Sequence, residues 1–186
     1  GSEMCIRDSA DARRAMIAVA EACLGQKYAQ EPLIVGTSGR YEFHNKGLDV
    51  FLDSLKALAA SDRLGRDVLA FITVPAANNG PRADLQAHLQ DPSRPVDAAQ
   101  LPYVTHYLEN PGGDPIVRAV GGSVLDKAGS KVRVIFVPTY LNGTDGIFDK
   151  TYYELLAGMD VTVFASYYEP WGYTPVSYTH LTLPTN

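Results

Sequence analysis

The sequence predicts an α/β domain built around a mostly parallel β-sheet. Short apolar runs rich in β-branched residues recur along the chain without the strict alternation of a sheet that has one wet face. Stretches with helical apolar spacing lie between them, so strands and helices alternate as a parallel sheet requires. With 186 residues, 46% of them hydrophobic and 20% charged, the chain is long enough to bury the core of one domain.

In order, residues 10–24 place Ala15, Val19, Ala22 and Cys23 at helical spacing, with Gly25 as a stop. Leu33-Ile34-Val35 after Pro32 reads as a buried strand, and residues 36–40 as the loop that ends it. Residues 47–60 form an amphipathic helix with Leu48, Phe51, Leu52, Leu55 and Leu58 on one face. A strand over 68–74 follows, then a loop holding Pro75, Gly80 and Pro81, then a helix over 82–89. Residues 90–101 are rich in Pro and Asp and read as a surface excursion. Residues 103–109 fit strand or helix, and 110–113 (NPGG) read as a turn. Asp114 before Pro115 has the signature of an N-cap opening a short helix over 115–125. A strand over 132–137, a loop over 141–149, a helix over 151–157 and a strand over 161–165 complete the pattern.

A net charge of −5 with no long basic run argues against a nucleic-acid surface, though not against a local basic pocket. Cys5 and Cys23 make neither a metal spacing nor a disulfide framework, so a reducing, cytoplasmic setting is expected. No run approaches the roughly 18 apolar residues that a membrane span needs, and none reads as a signal peptide.

Ligands of such sheets bind beyond the C-terminal ends of the strands. Three segments fall there. Residues 39–47 (GRYEFHNKG) carry Arg40 and Lys46 around a polar turn, a planar fork and a mobile charge suited to a diphosphate. Residues 140–149 follow the third strand. Residues 166–175 (SYYEPWGYTP) combine Glu169, aromatics and a glycine that lets backbone N–H groups approach a ligand. Chemistry alone gives an anion or nucleotide site here. A salt-bridged, solvated loop and packing aromatics are the competing reading.

Four segments, GRYEFHNKG (39–47), VLAFITVPA (68–76), VRVIFVPTYLNGTDGIF (132–148) and VFASYYEPWGYTP (163–175), resemble those of the eukaryotic-type and related bacterial glycogen (starch) synthases. The resemblance runs in consistent order over nearly all of residues 10–175. It implies a Rossmann-like, three-layer domain, the C-terminal donor-binding part of a GT-B retaining glycosyltransferase. The implied reaction transfers glucose from UDP-glucose to the non-reducing end of an α-1,4-glucan with retention, with ADP-glucose as the alternative donor and no cofactor or metal. By the same resemblance, Arg40 and Lys46 hold the donor diphosphate and stabilise the leaving nucleotide, and Tyr152 stacks on the nucleobase. Glu169 is the first carboxylate of a paired-glutamate motif. Trp171, Gly172, Tyr173 and Thr174 line the turn that meets glucose and phosphate. The expected partners are a nucleotide sugar and an α-glucan, with no nucleic acid and no membrane. A free-standing nucleotide-sugar-binding module without catalysis is the rival expectation.

The chain also departs from the family. His44 stands where Lys is usual, and Ala165 where Pro is common. The second glutamate, expected eight residues after Glu169, is Ser177. Residues 3–9 (EMCIRDS) and 176–186 (VSYTHLTLPTN) resemble translated sequencing-adapter read-through, and Gly1-Ser2 a cloning scar. The expectation is therefore a non-native segment at 1–9, a partial donor-binding domain at 10–175 and a non-native tail at 176–186. Such a piece would be inactive alone and prone to self-association through its truncated edges.

Overall fold

A computed structural model describes residues 2–167 of the chain. Glu169, Trp171, Gly172, Tyr173 and Thr174 therefore lie outside the described residues.

The apolar runs form the strands β1 (Leu33–Ser38), β2 (Val68–Thr73), β5 (Val132–Val137) and β6 (Val161–Thr162) of one parallel sheet, ordered β5-β2-β1-β6. Numbered within that sheet, the strands run third, second, first, fourth. This is the doubly wound order whose direction reverses beside the first strand. The helices α1 (Ser2–Leu24), α2 (Leu48–Ala59), α3 (Ala83–Gln90), α4 (Pro115–Val120) and α5 (Tyr152–Leu156) cover its faces.

Period-two alternation assigns the strand side chains to two cores. Val35, Val68, Ala70, Ile72, Val132, Val134 and Phe136 pack with Leu48, Phe51, Leu52 and Leu55 of α2 and with Ile116 and Val120 of α4. Ile34, Leu69, Phe71, Ile135 and Val137 pack with Met16, Val19, Ala20 and Cys23 of α1, Leu85 of α3 and Leu155 of α5. Every residue of β2 and of β5 is buried. That explains runs such as VLAFIT and VRVIFV, which need no polar alternation. The outer edge of β5 is closed by residues 103–105: Phe136 N–H donates to Tyr103 O at 2.7 Å and Thr105 N–H to Phe136 O at 3.1 Å.

Asp114 caps α4 as expected, its carboxylate accepting the Val117 N–H at 3.0 Å with Pro115 opening the helix. The sequence reading needs four adjustments. Residues 115–125 are not one helix. α4 stops at Val120 before Gly121-Gly122, and Val124–Asp126 is a separate 3₁₀ turn capped by the Ser123 hydroxyl. The supposed loop around Gly80 contains β3 (Asn78–Pro81), paired antiparallel with β4 (His106–Leu108). Asn, Gly and Pro are poor strand formers, so this pair is imposed by its surroundings rather than by propensity. α1 starts at Ser2 rather than at residue 10. Finally, β6 is two residues long: Val163 N–H still donates to Gly36 O at 2.8 Å, and beyond it the chain packs against the loop after β1.

Two arginines, Arg82 buried and Arg13 half-buried, hold the periphery. Arg82 is 1% exposed; it grips Asp84 at 3.2 and 2.7 Å and donates to the carbonyls of Leu101 and Val104. Asp84 also accepts the Asp97 N–H at 2.9 Å, so the pair fastens the Pro- and Asp-rich excursion to the body. Arg13 of α1 reaches Glu31, Asp160 and the Pro32 and Gly158 carbonyls. Asp160 in turn accepts the Ile34 N–H at 2.7 Å, which fixes where β6 joins β1.

Candidate functional site

The reversal of strand order lies between β1 and β6, and the loop leaving β1 carries both predicted cations. That loop, residues 39–47, is tightly wound: Glu42 N–H donates to Arg40 O, Lys46 N–H to Glu42 O and Gly47 N–H to His44 O, each at 2.8 Å. Three anchors hold it. The Tyr41 hydroxyl donates to Asp114 at 2.7 Å and accepts the Ile116 N–H at 3.2 Å, joining the loop to the start of α4. Burial, and then the bond to Asp114, raise the Tyr41 phenol well above its ordinary value. On the second anchor, the His44 ring meets Asp49 of α2, Nδ1 to Oδ2, at 2.7 Å. That hydrogen bond holds the Asp49 carboxyl below its usual range. The third anchor is the segment leaving β6. Asn45 O accepts both the Tyr167 N–H at 3.0 Å and the Ser166 hydroxyl at 3.1 Å.

Gly47 sits where these parts converge. Its φ of 61° is left-handed, and a Cβ built there would lie 2.6 Å from the Ala165 Cβ and 2.7 Å from its carbonyl carbon. Only glycine meets both conditions without displacement.

In many doubly wound domains the first helix after the first strand offers its free N–H groups to a phosphate. α2 does not. Phe43 O accepts the N–H groups of Leu48 (3.0 Å) and Asp49 (3.4 Å), and the Asp49 carboxylate accepts that of Val50 at 2.9 Å. An anion at this end of the sheet therefore depends on side chains. Arg40 has an 81% exposed side chain, 3.4 Å from Glu42, while Lys46 is half-buried in the same loop.

Tyr152 joins this end of the sheet from α5. The Thr151 hydroxyl accepts the Glu154 N–H while the Glu154 carboxylate accepts the Thr151 N–H at 2.6 Å, a reciprocal cap that sets the first turn. The Tyr152 hydroxyl accepts a bond from Ser38, the last residue of β1, at 3.0 Å. Arg40, Lys46 and Tyr152 thus share the end of β1.

Two contributors, Ser38 and Asp49, escaped the sequence reading, and Tyr140 was covered only as the start of the candidate segment 140–149. Ser38 gave no signal, being one hydroxyl in a Gly-Thr-Ser run. Asp49 could have been suspected as an acid in the first turn of an amphipathic helix. Tyr140 is 77% exposed directly after β5, next to the Tyr152 N–H to Leu141 O bond. Its place beyond a strand's C-terminal end was the available clue. His106 is a different case: buried, its Nδ1 meets Thr105 Oγ1 at 2.8 Å while Nε2 donates to Asp145 O at 3.0 Å. Burial lowers its pKa, so it serves as a neutral brace for the loop after β5. Among the described residues, no group of His, Cys, Asp and Glu side chains could hold a metal ion, and no helix is long and apolar enough to cross a membrane.

Comparison with known proteins gives a consistent answer. Residues 95–186 match the family model for glycogen synthase. Glycogen [starch] synthase of Caenorhabditis elegans is 29% identical over 80% of this chain and 30% of its own length. The liver glycogen [starch] synthase of Mus musculus is 27% identical over 84% of the chain and 29% of its own. Isoform 1 of Saccharomyces cerevisiae is 26% identical over 80% and 29%. The chain thus spans about 30% of the length of the curated relatives it matches.

Proposed function

We propose that this chain, which is similar to glycogen synthases over about 80% of its length, forms the nucleotide-sugar half-site of a glucosyltransferase. The donor is UDP-glucose, the acceptor the non-reducing end of an α-1,4-glucan, and the anomeric configuration is retained. The observation that carries the reading is the convergence of Arg40, Lys46 and Tyr152 where the strand order reverses, at the C-terminal end of β1. Arg40 offers a fork to the diphosphate oxygens and Lys46 a point charge, which together offset the charge that develops on the departing nucleotide. The Tyr152 ring takes the nucleobase. Glu169 and the turn from Trp171 to Thr174 follow the segment seated on Asn45 and are assigned to the glucose and phosphate. No cofactor is required, and the setting is cytoplasmic.

Titration calorimetry of the chain with UDP-glucose, ADP-glucose and UDP tests this. Saturable binding of UDP-glucose, weakened about tenfold or more by Arg40→Ala and by Lys46→Ala, is the expected result, since hydrogen bonds to charged groups contribute about 1.5–3 kcal/mol. Equal affinity for the ADP and UDP donors would remove the assignment of the base. Binding unchanged in both variants would remove the half-site.

A further inference from the structure

Arg133, the second residue of β5, is a buried cation that the donor site does not use. Its register with Leu69, and through Leu69 with Ile34, places it at the N-terminal end of the sheet, opposite Arg40, Lys46 and Tyr152. The residue is 3% exposed. Its Nε donates to Leu125 O of the 3₁₀ turn at 3.2 Å, and its Nη1 to Gln26 Oε1, just beyond α1, at 3.0 Å. Both acceptors are neutral. Among the described residues, no carboxylate pairs with this guanidinium and no acceptor meets Nη2. Burial lowers its pKa, as it does for a cation short of compensating charge. Tyr28 lies two residues beyond Gln26. Its hydroxyl oxygen is buried without a hydrogen-bond partner, the one such side-chain atom among the described residues. Burial pushes the phenol up to about 12, while Arg133 pulls it down from nearby. The neighbouring carboxylates are engaged elsewhere: Glu21 accepts the Tyr28 N–H at 2.9 Å and Asp126 the Gly122 N–H at 3.4 Å. Asp67 acts on the phenol only at a distance.

We propose that Arg133 and Tyr28 form a receptor for one small monovalent anion of the chloride class, held where β5, the end of α1 and the 3₁₀ turn meet. The unmet groups are donors only, the Nη2 N–H groups and the phenol O–H. An anion accepts from both. A water could also accept, but it would have to place its own protons and would leave the guanidinium charge uncompensated. Holding a charge out of water without a counter-charge is unfavourable, and an anion at this spot removes that penalty. Burial sets the size. The small exposure left to Arg133 excludes a sugar phosphate or a nucleotide, which need an open groove. Bound there, the ion ties together three elements that otherwise meet Arg133 through neutral oxygens, so its effect is on stability. The site is at the far end of the sheet from the donor residues and stands or falls independently of them.

Urea unfolding of the whole chain at constant ionic strength, with chloride exchanged for gluconate, tests the receptor. With a Kd of about 10 mM, raising chloride from about 5 to about 150 mM should raise the folded-to-unfolded ratio about tenfold. The ³⁵Cl NMR line should broaden in the presence of the folded chain, and bromide should reverse the broadening by displacement. Tyr28→Phe should match the parent in gluconate, because the hydroxyl it removes has no partner, and should respond to chloride about threefold less. Arg133→Met should lose both the response and the broadening; if that variant does not fold, the Tyr28→Phe comparison decides. Equal stability of the parent in the two salts, with no ³⁵Cl broadening, would show a site holding water only and overturn the proposal. A chloride response that survives in Arg133→Met, or that Tyr28→Phe leaves whole, would place the anion elsewhere and overturn it as well.

Discussion

Gly47→Ala tests whether the loop after β1 and the segment after β6 meet as tightly as the geometry requires. Gly25 provides the control within the same chain: its φ is 62°, against 61° at Gly47, yet an added Cβ would meet nothing within 4 Å. Alanine at either position pays for a left-handed backbone with about 1–2 kcal/mol. That cost is partly offset by the about 0.4–1 kcal/mol gained from restricting the unfolded chain. At Gly25 nothing else changes, so the net loss is at most about 1.6 kcal/mol. At Gly47 the methyl group also meets Ala165 at 2.6–2.8 Å, including backbone atoms that cannot rotate away. Overpacking of this kind costs about 1–3 kcal/mol. The excess of Gly47→Ala over Gly25→Ala in urea unfolding should therefore be about 1–3 kcal/mol. If the chain relieves the clash by releasing residues 163–167 instead, the excess shrinks, and the loss shows as weaker UDP-glucose binding. Equal stability within about 0.5 kcal/mol together with unchanged binding would refute the close approach.

Breaking the buried Arg82–Asp84 pair with Arg82→Met should destabilise the chain by about 3–5 kcal/mol, because Asp84 is left charged and largely buried; a loss under about 1 kcal/mol in urea would contradict it. Burial opposes ionisation of Asp84, but the Arg82 hydrogen bonds and the Asp97 N–H outweigh it and hold the pKa below the usual value. The pair's stabilisation is thus complete above about pH 4 and is lost as pH falls through the lowered value. Asp84→Asn should flatten that part of an acid unfolding curve. His106 acts in a higher range. Burial lowers its pKa, so the folded chain binds fewer protons than the unfolded one below about pH 6.5, and stability should fall as pH drops from there. A stability profile that is flat between pH 7 and 5.5, or unaltered by His106→Gln, would show that the brace is not neutral.

Legibility in the sequence followed the strength of local signals. β2 and β5 are fully buried, so their apolar runs stand out whatever surrounds them. α2 announces itself through Phe51, Leu52 and Leu55, and α4 through the Asp114-Pro115 start. β3 was hidden because its pairing with β4 is made by tertiary packing, through Pro81 and Asn78, rather than by residues that favour strands. β6 was overestimated because Val161 to Ala165 is apolar for two reasons at once. Val161 and Thr162 pair with β1, and Ala165 then packs on Gly47. Arg40 and Lys46 were legible as cations beyond a strand, but their setting was not. No local pattern says that Asp49 will block the end of α2, or that Ser38 will find Tyr152 across 114 residues.

The blocked end of α2 shapes the chemistry that this site can support. A row of free N–H groups at a helix start is a fixed, already oriented anion receptor, and it responds weakly to pH and salt. Here those groups are consumed by Phe43 O and the Asp49 carboxylate, which also places a negative charge at the spot where a phosphate would otherwise sit. In the proposed donor site, recognition is therefore assigned to side chains further out, Arg40, a largely exposed guanidinium, and Lys46. Attraction between exposed charges is screened over roughly 8–10 Å at ordinary ionic strength, so it decays with added salt in a way that a buried receptor's would not. The position of the loop then matters more than its charge, because a cation a few ångströms out of place contributes little. Tyr41 on Asp114, His44 on Asp49 and Gly47 on Ala165 fix that position from three sides. The glycine is the most exacting of the three, since it is the one contact that no side-chain rotation can restore.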